Sequence, residues 1–296
     1  MTTTPTDTPT PNPADAPAGT VTTGTLDAPG VRLHYEVRGA GPVVALVGAP
    51  MGADAFVPIA ELLAVDHTVV TTDPRGIGRS PLDDPEQDST PELRADDLSR
   101  ILAHLGAGPA AVLGSSGGAV TVLALAQAHP EQVRTVVAHE PPLEQLLDDR
   151  ERRREALDHM VATYLAEGPG AAWALFLAEA NIDEAGEHGP SGAQPEPEDG
   201  FPERDPQEVA DERRFFLHEL RGTALWEPDV EALRTGGPRV VVGLGEGSTG
   251  QVCDLTSTAL AQRLGTEPVL FPGDHLGFVE EPEAFARRLR EVLDAG

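Results

Sequence analysis

Gly114-Ser115-Ser116-Gly117-Gly118 follows the apolar run Ala110 to Leu113 and precedes a small, apolar stretch that continues to Ala128. These five residues fit G-x-S-x-G, the pattern of a serine presented on a sharp strand-to-helix turn. In such a turn the positions two before and two after the nucleophile crowd the flanking strand and helix, so both must be small. Centring on Ser116 puts Gly114 and Gly118 there, whereas centring on Ser115 would put Leu113 at one of them. Ser116 is therefore the expected nucleophile. A serine hydroxyl attacks poorly at its free pKa, so the reading requires a base.

The base is expected at His275, in Val269-Leu270-Phe271-Pro272-Gly273-Asp274-His275-Leu276-Gly277-Phe278, a strand followed by a Gly-rich loop and a final helix. A histidine placed there is suited to approach Ser116 and take its proton. Solvent-exposed or packing roles are the default for His34, His67, His104, His129, His159, His188 and His218. Asp274 adjoins the base and is read as structural, because an adjacent side chain rarely orients the same ring.

The elements that must hold these groups read as short β-branched runs alternating with helical patterns, the signature of a mostly parallel sheet covered by helices on both faces. Strands are expected at Val31 to Val37, Val43 to Val47, Thr68 to Thr72, Ala110 to Leu113, Thr135 to Ala138, Arg239 to Val242 and Pro268 to Phe271. Helices are expected from Leu93 to Leu105, from Gly117 to the stop at His129-Pro130, and from Pro282 to Leu293. Between residues 141 and 235 the β pattern gives way to helical segments, interrupted by an acidic, Pro- and Gly-rich stretch from Gly186 to Pro206 that reads as a mobile loop. Seven of the twelve aromatic residues fall in this insertion, which suggests a helical cap lining an apolar pocket. Trp173, Phe176, Phe215 and Phe216 are the expected substrate contacts, with Met51 from the core. The organisation is then a disordered tail at 1–20, a core at 21–140 and 236–296, and a cap at 141–235.

With these segments in this order, the chain resembles the α/β-hydrolase superfamily. The resemblance rests on Asp73-Pro74-Arg75-Gly76-Ile77-Gly78-Arg79-Ser80, on Gly114 to Gly118 and on Gly273-Asp274-His275, and it covers nearly the whole chain from about residue 25. It implies an α/β fold with an eight-stranded, mostly parallel sheet, and a helical cap between strands six and seven. The chain departs from the family at the triad's acid, usually an Asp in the turn after strand seven, because Gly245-Glu246-Gly247-Ser248 puts a serine there. Some members supply the acid from the end of strand six, which here is His139-Glu140-Pro141-Pro142. Glu140 is the leading candidate, with a carboxylate at the cap's entry or an arginine partner as its other role, and Glu246 and Asp254 are runners-up. The oxyanion hole needs two backbone N–H donors, one from the residue after the nucleophile and one from an earlier loop. The first is Gly117. In Gly48-Ala49-Pro50-Met51-Gly52 the proline has no N–H, which favours Ala49 over Met51. Asp73 and Arg75 are expected to brace loops and to carry no chemistry.

Composition narrows the partners. The 49 acidic residues outnumber 21 basic ones, all arginine, for a net charge of −28. Such a charge repels nucleic acid and anionic membranes, leaving a small-molecule substrate as the expected partner; a homo-oligomer is compatible with everything above. A single cysteine, Cys253, excludes an internal disulfide and Cys-rich metal sites. The first residues lack a basic and an apolar region, and no run approaches the roughly 20 apolar residues that span a bilayer, so a soluble, cytoplasmic protein is expected. Val241 to Ser248 only partly matches a dinucleotide fingerprint, a P-loop is impossible without lysine, and no H-E-x-x-H set occurs. No cofactor and no metal are expected. The favoured activity is hydrolysis of a small, moderately apolar carboxylic ester, lactone or thioester through an acyl-enzyme. The rivals are a cofactor-free lyase, cyclase or perhydrolase on the same fold, and a ligand-binding protein without catalysis.

Overall fold

The computed structural model describes residues 21–182 and 204–295. The expected disordered tail at 1–20 and most of the expected mobile loop, 186–203, lie outside the described residues. Eight strands form one sheet: β1 Val21–Ala28, β2 Val31–Arg38, β3 Val43–Val47, β4 Thr68–Thr72, β5 Ala110–Ser115, β6 Val133–His139, β7 Arg239–Gly245 and β8 Val269–Phe271. Their order is β1-β2-β4-β3-β5-β6-β7-β8. The pairings β1/β2 and β2/β4 are antiparallel, and every other one is parallel. The fold is thus the eight-stranded, mostly parallel α/β sheet that the resemblance implies.

Seven of these strands match apolar runs in the sequence, and β1 does not. Its residues alternate between exposed and half-buried, so no continuous apolar run marks it. Gly24 lies under the Tyr35 ring of β2, where a Cβ would collide with the phenol. Central strands show the two-residue period of a sheet buried on both faces. In β3, Ala45 and Val47 join one core cluster while Val44 and Leu46 join the other. In β5, Val112 and Leu113 divide in the same way.

Helices cover both faces. Helix α1 is Val57–Leu63, α2 Pro91–His104 and α3 Gly117–Ala128. Helix α2 begins two residues before its apolar periodicity does, because the Thr90 side chain caps it by accepting from Leu93 N–H at 3.3 Å. Helix α3 is apolar around nearly its whole circumference, as a helix enclosed on all sides must be. Between β6 and β7 lie α4 Arg150–Glu167, α5 Pro169–Ala180, α6 Pro206–Arg214, α7 Leu220–Ala224 and α8 Val230–Thr235. Pro206, expected at the end of a loop, instead opens α6, where its fixed φ suits the first turn. A π-helical turn, Phe215–Glu219, joins α6 to α7. These segments share a small core of their own in which Leu157, Met160, Trp173 and Phe216 meet. After β7 come α9 Val252–Leu264, α10 Gly277–Glu280 and α11 Pro282–Asp294. Leu98 and Ile101 of α2, α3 and Leu260 of α9 pack on one face of the sheet. Ile59 and Leu63 of α1 and Phe285 and Leu289 of α11 pack on the other. Among the described residues no helix is long and apolar enough to cross a membrane.

Candidate active site

Ser116 sits at the junction of β5 and α3 with φ 57° and ψ −125°, a backbone conformation that an L-residue adopts only under constraint. The constraint comes from both sides of the turn. Ser116 N–H donates to His139 O on the neighbouring strand at 3.0 Å. A Cβ on Gly114 would land on the carbonyl of Gly118, and one on Gly118 would land on the carbonyl of Val47. Bare glycine at both positions is therefore a condition of the turn. Gly117 opens α3, so its N–H is one of those a helix start leaves without an intrahelical acceptor.

Glu140 follows β6 with φ 52° and is completely buried. Its Oε1 accepts from Gly245 N–H at 2.8 Å, and its Oε2 lies 2.5 Å from His275 Nδ1. Burial works against the charge of Glu140. The hydrogen bond and charge of His275 outweigh it, with help from His139 and Ser248, and hold the carboxyl well below the usual carboxylate range. Ser248, the residue expected in place of the family's Asp, is fully buried, and its Oγ makes no hydrogen bond of good geometry among the described residues. Desolvation likewise opposes a charged His275, yet the hydrogen bond and charge of Glu140 prevail and raise its pKa above the ordinary histidine value. The runners-up lie elsewhere. Glu246 is exposed, and Asp254, in the first turn of α9, accepts from Gly250 N–H at 2.9 Å. Asp274 accepts from Leu276 N–H at 2.9 Å, a local turn bond.

Ser116, His275, Glu140, Gly117 and Ala49 line one mostly apolar cavity of about 120 Å³, together with Phe176 and Phe215. That is close to the ~150 Å³ that accommodates a benzene ring in an engineered protein cavity. The other expected substrate contacts do not reach it. Trp173 is turned into the helical segment by its Nε1–H, which donates to Glu212 Oε2 at 2.9 Å. Phe216 has no exposed surface and stacks on Tyr164 at 4.9 Å, while Met51 packs against the core beside α1. Asp73 fixes the loop that carries Ala49 by accepting from Ala53 N–H at 2.8 Å and from Arg79 Nε at 2.8 Å. Arg75 is buried in a two-pronged pair with Asp97 at 2.7 and 2.8 Å.

Several groups at the cavity were not marked by sequence pattern. Cys253 brings its sulfur within 4.8 Å of ligand atoms of Glu140 and His275, a set that could hold a metal ion and that spacing alone conceals. Burial, and then the neighbouring Glu140 charge, push its thiol far up. Glu144, also at the cavity wall, is pushed up to about 7 by burial. His139, buried beneath the elbow, is pushed down to about 4 by burial and meets Ser115 Oγ through Nδ1 at 3.2 Å.

A family model described as alpha/beta hydrolase fold matches residues 41–271. The chain is 33% identical over 282 residues to a protein of Bacillus subtilis (strain 168) named "Uncharacterized hydrolase YraK", covering 93% of this chain and 97% of that one. It is 27% identical over 287 residues to the zearalenone hydrolase of Bionectria ochroleuca, covering 92% and 97%. Its fold is similar to that of a thermophilic esterase from Thermogutta terrifontis, with a TM-score of 0.63, 21% identity, and coverage of 94% and 99%.

Proposed function

The chain is a hydrolase of the α/β-hydrolase family, and from that premise we propose that it cleaves a small, moderately apolar carboxylic ester, lactone or thioester through an acyl-enzyme on Ser116. The observation that carries this reading is the 2.5 Å contact between His275 Nδ1 and the buried Glu140, in a cavity that Ser116 also lines. With Nδ1–H given to Glu140, the lone pair of Nε2 is the one free to accept the serine proton.

Ser116 Oγ attacks the carbonyl carbon while His275 takes its proton. Negative charge passes to the carbonyl oxygen, which accepts from the N–H groups of Gly117 and Ala49. As the tetrahedral adduct collapses, the imidazolium returns its proton to the leaving oxygen or sulfur. Water then attacks the acyl-enzyme with His275 as base again, releasing the acid and Ser116. Glu140 stabilises the imidazolium and holds the ring in one tautomer. The described helices between β6 and β7 act as a cap whose Phe176 and Phe215 supply the apolar wall.

The test is a fluorophosphonate probe followed by mass spectrometry, with a panel of p-nitrophenyl esters, simple lactones and zearalenone. Labelling at Ser116, lost together with ester turnover in Ser116→Ala, is the expected result. A folded protein that is neither labelled nor active on any ester or lactone would refute the reading in favour of a binding protein or a non-hydrolytic enzyme.

A further inference from the structure

Glu219 stands at the wall of the same cavity, yet it has no part in the triad. It is 2% exposed, and its Oε2 is buried without a hydrogen-bond partner among the described residues. Among the described residues that line the cavity, no other side chain carries such an atom. Burying a carboxyl oxygen without a hydrogen bond is unfavourable, so a ligand group that supplied one would be favoured there.

The local backbone singles out the same residue. Glu219 ends the π-helical turn Phe215–Glu219, where one extra residue per turn changes the face that following side chains present. Such turns are rare, and they occur often at functional sites. One turn further on is Thr223, also buried and also at the cavity wall. Its Oγ1 accepts from Arg94 Nη2 at 2.9 Å, which leaves its own proton to donate. Glu219 as acceptor and Thr223 as donor make a complementary pair on one side of the cavity.

The charged groups around Glu219 are Arg94, Arg214 and Asp211. Burial pushes the Glu219 carboxyl up, and the two guanidiniums only partly offset it. A cationic substrate group there would face both arginines, and an anionic one would face the carboxyl. A neutral hydroxyl both donates and accepts, so it pairs with Glu219 in either protonation state and with Thr223 at once.

We propose that Glu219 and Thr223 form a subsite for a hydroxyl group on the substrate, remote from the scissile carbonyl, making Glu219 a specificity-determining residue. This rests on the hydrolase reading above and adds to it the class of substrate, a hydroxylated ester or lactone. A site built around a buried hydrogen-bonding group discriminates strongly against an analogue lacking its partner, because the group is then left unpaired.

The experiment compares kcat/KM for phenylpropanoate p-nitrophenyl ester with its meta- and para-hydroxylated forms, and for phenethyl butanoate with its hydroxylated forms. For the wild type, at least one hydroxylated ester should exceed its parent by roughly 10- to 100-fold, the range of a hydrogen bond to a charged group. In Glu219→Leu that ratio should collapse toward one. Glu219→Gln, which keeps shape and hydrogen bonding, should retain part of it, and Thr223→Val should reduce it. Should Glu219→Leu fail to fold, the Gln and Val variants carry the comparison. If Glu219 served only as a counter-charge to Arg94, its variants would change stability and leave the ratio alone. Turnover of the parent esters with no preference for a hydroxyl, or with one that Glu219→Leu leaves intact, overturns the inference and spares the hydrolase reading. Absence of both turnover and Ser116 labelling removes the two together.

Discussion

Replacing Glu140 by glutamine should do more damage than deleting the side chain, and the reason lies in the two hydrogen bonds the carboxylate makes. Oε1 accepts from Gly245 N–H at 2.8 Å and Oε2 faces His275 Nδ1 at 2.5 Å. A glutamine has one oxygen and one NH2 for these two places. The backbone N–H cannot accept, so the oxygen must face Gly245 and the NH2 must face Nδ1. Nδ1 then has to accept, which moves the ring proton to Nε2, the atom that should take the proton of Ser116. The corresponding change in the well-studied serine protease triad costs about 10⁴-fold in kcat. A loss of roughly 10³- to 10⁴-fold, or about 4–5.5 kcal/mol of transition-state stabilisation, is expected here. Glu140→Ala leaves Nδ1 free to keep its proton and bond to a water, so its activity should exceed that of Glu140→Gln. The assay is initial-rate hydrolysis of p-nitrophenyl butyrate at saturating and subsaturating concentration, with circular dichroism and thermal melts to establish that each variant folds. Activity of Glu140→Gln within threefold of wild type, or equal to that of Glu140→Ala, would refute the tautomer argument.

Three further outcomes follow from the same geometry. Because Glu140 raises the pKa of His275 and only the neutral ring is a base, the acid limb of kcat/KM should lie above the unperturbed histidine value of about 6.5 and move down in Glu140→Gln; an unmoved limb would separate the two residues. His139 is pushed down to about 4, so its neutral form stabilises the fold fully above about pH 6.5 and progressively less as pH falls toward 4, by roughly 3 kcal/mol. Urea unfolding of wild type and His139→Asn across that window should therefore show a difference that shrinks on acidification, and a constant difference would contradict it. Cys253, its thiol pushed far up, should react with iodoacetamide more than about tenfold slower than free cysteine at mildly alkaline pH, and rapid alkylation of the folded protein would show that the thiolate is accessible.

What could be read from the chain was whatever steric need leaves in the residue types. Gly114 and Gly118 marked the sharp turn at Ser116 because any Cβ there collides with backbone carbonyls, a requirement that survives without coordinates. Apolar runs revealed the strands buried on both faces and missed β1, whose half-exposed pattern carries too little apolar signal. The pocket aromatics were legible only in composition. Phe215 and Phe216 are neighbours about 100° apart around a helix, so one wall cannot take both, and the π-helical turn that decides between them leaves no mark in the sequence. Cys253 and Glu219 escaped for a similar reason, since each meets its partners only through the fold.

Glu140 shows how a departure from pattern becomes informative once the sheet order is known. Strands β6 and β7 are parallel neighbours, with Val136 opposite Val240 and His139 opposite Gly243. Glu140 N–H donates to Gly243 O at 3.0 Å, so the chain leaving β6 still lies against β7 as it turns. Adjacent strands are about 4.8 Å apart, and a carboxylate starting from β6 must span that gap to meet His275, whose loop follows β8. The positive φ at Glu140 sets the direction, and the extra methylene of Glu over Asp extends the reach to Gly245 N–H and His275 at once. Ser248 is small and fully buried, and it is among the groups that act on the Glu140 carboxyl. On the proposed reading the two positions are coupled, and placing an Asp at residue 248 while Glu140 remains would bring two like charges together in a buried site. Ser248→Asp alone should therefore depress activity and stability, and Ser248→Asp with Glu140→Ala should recover part of both; a double variant no better than Ser248→Asp would mean that the two positions are not coupled.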